Sequence, residues 1–152
     1  MLDNKAAYYM KEALIEAKKA YDLGEVPIGC IIVQNDRIIG RGHNTRELSE
    51  NALAHAEINA IRQACENNGH WRLTDTELYV TIEPCPMCIG AIYQSRISKV
   101  YYGAPDFKAG ACGSLFNLFD IKGLNHYTDI VGGVEEAACS ELMKHFFKKL
   151  RK

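Results

Sequence analysis

The stretch Glu77-Leu-Tyr-Val-Thr-Ile-Glu-Pro-Cys-Pro-Met-Cys88 decides the fold. Glu77 to Ile82 is rich in β-branched and aromatic residues and reads as a strand. Pro86 then opens a helix to about Ser95, because proline is tolerated at the first helical position. Lys99-Val-Tyr-Tyr102 follows as another strand. Upstream, Cys30-Ile-Ile-Val33 and Arg37-Ile-Ile-Gly40 flank Gln34-Asn35-Asp36 and read as a hairpin. Thr128 to Val131 supplies a last strand.

Helices fill the intervals. From about Asp3 to Leu23, the residues Ala6, Met10, Ala13, Leu14, Ala17 and Tyr21 recur at three- and four-residue steps, and Gly24 ends the run. A second helix is expected from about His55 to Asn67, stopped by Asn68-Gly69, and a last one from Glu135 to about Leu150. Arg41 to Leu53 and Ala104 to Gly113 read as loops, with a short helix expected near Leu115–Phe119. Strands alternating with helices imply an α/β fold, a three-layer α/β/α sandwich around one central sheet of about five strands. The hairpin makes that sheet mixed. At 152 residues the chain is expected to form one domain spanning 1–152.

Eighteen basic residues face nineteen acidic ones, for a net charge of -1. This balance carries no global nucleic-acid signal, although a local basic groove is compatible with it. The segment Met1-Leu-Asp-Asn-Lys lacks an apolar signal-peptide core, and no apolar run approaches the roughly 18 residues of a membrane span. A cytoplasmic protein with no membrane partner is expected. Six cysteines scattered in such a chain argue against disulfides. Cys30, Cys65 and Cys139 sit in apolar patterns and read as small core residues, whereas Cys112, in a glycine-rich loop, has no evident role.

Cys85 and Cys88 differ, since they lie three apart at a helix start. Positions i and i+3 are neighbours on a helix, so two thiolates there can share one ion. The positive end of the helix dipole favours the thiolate form. His55, at the start of another helix, supplies an imidazole. Three such donors leave a fourth position of a zinc ion for water, the arrangement of catalytic sites. Glu57, two residues beyond His55, points elsewhere and reaches that water as a proton carrier. The alternative is a closed structural site, which normally has four ligands. His43, His70, His126 and His145 repeat no ligand spacing.

His55-Ala-Glu57 with Pro84-Cys-Pro-Met-Cys88 matches the known motif of the zinc nucleobase deaminases, His-x-Glu followed by Pro-Cys-x-x-Cys. The match extends through Glu25-Val-Pro-Ile-Gly29, Gly42-His-Asn44, Leu78 to Pro84, Ser95-Arg-Ile97, Gly103 to Gly110, Gly113-Ser114 and Leu124-Asn-His126. Over roughly residues 5 to 151 the chain resembles the bacterial tRNA-specific adenosine deaminases. The resemblance implies a cytidine deaminase-like fold, one Zn2+ per subunit and a homodimer. It implies hydrolysis of adenosine to inosine at the wobble position of a tRNA anticodon stem-loop. Carried over by position, His55, Cys85 and Cys88 hold zinc and Glu57 shuttles protons. Ile28, Asn44, the Ala56 amide and Pro84 would meet the flipped adenosine. Asp106, Lys108, Asn125, Phe147 and Arg151 would meet neighbouring nucleotides.

Each outer residue also has a plainer reading. Asn44 and Asp106 are common turn residues. Phe146-Phe147 suits core or dimer packing as well as base stacking. Lys144, Lys148, Lys149, Arg151 and Lys152 form either a solvated helix face or a phosphate-contacting helix end. Two rival functions stand beside the main one. A deaminase of free guanine, cytosine or a nucleoside would carry the same zinc motif. A zinc-stabilised RNA-binding module without catalysis would have no use for Glu57.

Overall fold

Ile31, Val33 and Tyr79 face one side of a sheet, and Cys30, Ile32, Leu78 and Val80 face the other; all seven are buried. A strand covered on both faces needs apolar residues at every position, which is why these runs are continuous rather than alternating. In the computed structural model, which describes residues 4–151, the strands are β1 (Gly29–Gln34), β2 (Arg37–His43), β3 (Glu77–Ile82), β4 (Lys99–Ala104) and β5 (Asp129–Val131). They form one sheet in the order β2-β1-β3-β4-β5. β1 is antiparallel to β2 and β3, while β4 runs parallel to β3 and β5.

Four α-helices cover the two faces: α1 (Asn4–Asp22), α2 (Ala56–Asn68), α3 (Pro86–Ser95) and α4 (Glu136–Leu150). Ala6, Tyr9, Met10 and Ala13 of α1 pack with Cys139 of α4 on the Ile31, Val33 and Tyr79 face. Ala56, Ala60 and Ala64 of α2 pack with Ile89 and Ile92 of α3 on the opposite face. The architecture is therefore the expected three-layer α/β/α sandwich on a mixed five-stranded sheet. Among the described residues, no helix is long and apolar enough to cross a membrane.

The glycines of β2 decide how close α2 lies. A Cβ on Gly42 would come within 2.4 Å of the Ala56 carbonyl oxygen and 2.5 Å of the Ala60 nitrogen. Only a residue without a side chain admits the helix at that distance, so Gly42 sets the position of the α2 N-terminus.

Several expectations need correction. β2 continues to His43, although Arg41 was expected to begin a loop. Partners distant in sequence hold its polar residues, since Arg41 pairs with Glu12 and Glu16, and His43 Nδ1 lies 3.2 Å from Glu16. The short helix expected near Leu115–Phe119 is a 3-10 turn at Leu118–Asp120. The chain before it bridges Cys112 to Asn117, and the Asn117 side chain accepts the Phe119 N–H, which moves the start downstream. Cys65 is half-buried rather than central, with its thiol toward the Trp71 carbonyl. Cys30 and Cys139 are core residues, and Cys112 is buried as well. Asp3 and Lys152 lie outside the described residues.

Candidate active site

His55 and Cys85 are the N-cap residues of α2 and α3. Both backbones are extended at that point, and neither side chain caps its own helix. The imidazole and the thiol are thereby free to turn toward each other. Nδ1 of His55 lies 3.7 Å from Sγ of Cys85 and 3.5 Å from Sγ of Cys88. The three donor atoms all lie within 4.8 Å of one another. A tetrahedral ion with Zn–N near 2.0 Å and Zn–S near 2.3 Å spans a donor-to-donor edge of about 3.5 Å, so the spacing fits zinc. Among the described residues the cluster contains these three side chains and no fourth.

The electrostatics agree. Hydrogen bonds from the Cys88 thiol and the His55 ring hold the Cys85 thiol down at about 4, against the effect of its burial. The neighbouring Cys85 and burial push Cys88 upward. The sulfur of Cys85 raises His55 above its ordinary value. Two helix N-termini add positive potential from the same side. A divalent cation would complete what these groups begin, the stabilisation of a second thiolate.

Glu57 is 4 % exposed, on the first turn of α2. Burial pushes its carboxyl up to about 7. It lies outside the three-donor cluster, yet Cys85, His55 and Cys88 all act on its charge. A buried carboxyl poised near neutrality beside three candidate metal donors suits a general acid–base.

A pocket of about 110 Å³ opens at this point, lined by Val26, Ile28, Asn44, Arg46, His55, Ala56 and Glu57. It unites three of the expected substrate residues, Ile28, Asn44 and Ala56, with the acid–base group and one metal donor. Asn44 combines both of its readings. Its Oδ1 accepts the Arg46 N–H at 3.1 Å and its Nδ2 donates to the Val26 carbonyl at 3.2 Å, yet it faces the pocket. Val26 and Arg46 are pocket residues that sequence reasoning missed. Val26 lies within Glu25-Val-Pro-Ile-Gly29 and Arg46 two residues after Asn44, which was the available signal.

A second concavity, a groove of about 590 Å³, runs between the loop after β4 and helix α4. It brings together Asp106, Lys108, Phe147 and Arg151, and adds Pro105, Phe107, Met143 and Lys144. Phe147 is 39 % exposed and Phe107 79 %, while Phe146 turns into the core at 4 %. The Asp106 carboxylate is also a turn acceptor, taking the N–H groups of Lys108 at 3.0 Å and Ala109 at 3.1 Å.

Two expected contact residues lie elsewhere. Pro84 is buried, and its carbonyl accepts the Ala111 N–H at 2.8 Å. Asn125 is exposed beyond α3, where its N–H donates to the Tyr93 hydroxyl at 3.3 Å. Neither borders the pocket or the groove.

A mixed sheet that sets a His-Cys-Cys cluster and a buried glutamate at two helix N-termini defines a hydrolytic deaminase. The MafB19-like deaminase family model matches residues 4–151. A tRNA-specific adenosine deaminase of Bacillus subtilis is 51% identical over 144 residues, covering 95% of this chain and 89% of the relative. A structure from a study of A-to-I editing by tRNA:A34 deaminases at the wobble position superposes with a TM-score of 0.86 at 42% identity, over 89% of this chain and 98% of that one. Guanine deaminase from Bacillus subtilis is more distant, with a TM-score of 0.62 at 31% identity over 76% of this chain and 85% of that one. The chain belongs to the tRNA-specific adenosine deaminase family of MafB19-like deaminases.

Proposed function

We propose that the protein hydrolyses adenosine to inosine at the wobble position of a tRNA anticodon, with one Zn2+ held by His55, Cys85 and Cys88. The observation that carries this reading is the small pocket containing buried Glu57 beside the three metal donors. A volume of 110 Å³ is well below the roughly 300–1,000 Å³ of pockets that enclose a whole drug-sized ligand. It suits one ring of a substrate whose remainder lies outside, as a base flipped from a loop does. The groove along α4 supports a polymer rather than a free base. Its Phe147 offers a stacking face, and Lys108, Lys144 and Arg151 offer phosphate contacts.

Bound zinc supplies the lowered water pKa, near 7, that makes a nucleophile available at neutral pH. Glu57 accepts the proton of that water and returns it to the departing amine. Water adds at the ring carbon bearing the amino group, the carbon–nitrogen bond breaks, and ammonia leaves inosine behind. Asn44 keeps one lone pair and one N–H beyond its two internal bonds, enough to orient the nucleotide. The Ala56 amide lies at the α2 N-terminus, where amides lack helical acceptors and are available to the base. Ile28 gives the ring an apolar wall.

The protein acts as a homodimer in this reading, in part through α3. Exposed Leu115, Phe116, Ile121 and Tyr127 on the segment beside that helix support a second copy there. A monomer in sedimentation at micromolar concentration would count against it. The activity is tested with zinc-loaded protein on an anticodon stem-loop bearing adenosine at the wobble position, beside free adenosine, guanine and cytidine. Inosine in the stem-loop alone is the expected result. Turnover of a free base alone would replace the tRNA reading with a free-base deaminase.

A further inference from the structure

Glu83 is 3 % exposed, and no ion pair with it occurs among the described residues. An uncompensated buried carboxylate is costly unless hydrogen bonds satisfy it. All of its donors come from one loop. Oε1 accepts the Asp106 N–H at 3.1 Å and the Ser114 hydroxyl. Oε2 accepts the N–H groups of Cys112 at 3.2 Å and Ser114 at 3.0 Å. The backbone reinforces the link, since Glu83 N–H donates to the Ala104 carbonyl at 2.9 Å and Ala111 N–H donates to Pro84. Gly110 completes the seat: a Cβ there would lie 2.3 Å from the Glu83 carboxyl carbon. The loop that begins after Ala104 is thus wound around one side chain.

That loop carries Pro105, Asp106, Phe107 and Lys108, one wall of the groove. Phe107, at 79 % exposed, has little packing of its own to hold it. Glu83 itself borders neither the pocket nor the groove. We infer that Glu83 is a positioning residue, a carboxylate clamp that shapes the 105–114 loop to receive the nucleotides flanking the target adenosine. The inference rests on the tRNA reading of the groove.

The isosteric change Glu83→Gln tests it. An amide in place of one carboxylate oxygen faces two donors with N–H groups of its own. At Oε2 it loses both backbone bonds; at Oε1 it loses the Asp106 bond while the Ser114 hydroxyl reverses. The expected result is unchanged zinc content, kcat within about threefold, and KM for the stem-loop raised about tenfold, the scale of one or two bonds to a charged group. Hydrogen exchange should quicken over 105–114 and not over α3. Ser114→Ala removes a single bond and should shift KM the same way by less. If Glu83→Gln fails to fold, Ser114→Ala decides: a raised KM supports the clamp and an unchanged one overturns it. Loss of zinc or kcat with KM and loop exchange unchanged would also overturn it, making Glu83 a support of the Cys85 segment instead. Should the wild type leave the stem-loop untouched, the tRNA reading fails. In that case loop exchange in Glu83→Gln still reports on the clamp: unchanged exchange overturns it, and faster exchange upholds its structural half.

Discussion

The His55, Cys85 and Cys88 cluster and the groove along α4 are joined through residues 82–85, yet they are built by different means. The cluster takes its donors from two helix starts, with three donor atoms within 4.8 Å. Donors carried on helices are held more precisely than donors on loops, so short motifs at these positions suit the chemistry. The groove takes one wall from a loop and the other from α4, whose contributions lie some forty positions later in the chain. Its shape depends on the Glu83 clamp and on α4 packing against the sheet. The residues proposed for the reaction stand at short spacings that two packed helices bring together, whereas the groove proposed for recognition depends on long-range packing throughout.

If this division holds, damage to the cluster should remove turnover, and damage to the groove should weaken binding. Removing zinc with a chelator should abolish activity on every substrate, and restoring zinc should recover it; turnover by metal-free protein in the stem-loop assay would break the division at its base. Glu57→Ala should keep zinc and fold while kcat falls by about 10²–10⁴, the usual contribution of a general acid–base. Retained turnover in that variant would sink the proton-shuttle role.

The next expected effect links the regions to the fold. Gly42→Ala should displace the α2 N-terminus and cost about 1–3 kcal/mol in thermal or denaturant unfolding, as overpacking does. Zinc content should fall with it, whereas an unchanged zinc content would mean that α2 tolerates the shift. Phe147→Ala should raise KM for the stem-loop by about tenfold, within the about 1–3 kcal/mol that a stacked base contributes, at constant zinc and kcat. A fall in kcat with KM unchanged would move Phe147 from recognition to chemistry. The smallest expected effect is Lys144→Ala, which should reduce the slope of log affinity against log salt by about 0.7 if the side chain meets one phosphate of a single strand. An unchanged slope would leave Lys144 as a solvated surface residue.

Much of this was legible in sequence. β3 and α3 fall where composition and Pro86 put them, because a β-rich run and a proline at the first helical turn are local signals. His55, Glu57, Cys85 and Cys88 were readable from spacing alone. Ile28, Asn44 and Ala56 were expected from resemblance, and the pocket brings them together. The same resemblance placed Pro84 and Asn125 with the substrate, but the structure uses one as a backbone acceptor for the loop and sets the other beyond α3. The strand character of Arg41 to His43 was hidden because its compensation, Glu12 and Glu16, lies on α1. Glu83 lies within a segment that carries the family resemblance, but nothing local reveals that four donors from residues 106–114 converge on it.

The sequence by itself determined the layered α/β plan, the three candidate metal donors and the residue proposed to carry the proton. These depend on periodicity and on separations of two or three residues, where backbone geometry leaves few choices. Only the tertiary structure decided the distance between the two helix starts, the closeness of α2 to Gly42, the enclosure of the pocket and the seating of the loop on Glu83. Those depend on burial and on partners far apart in the chain, brought together by the packing of helices on the sheet.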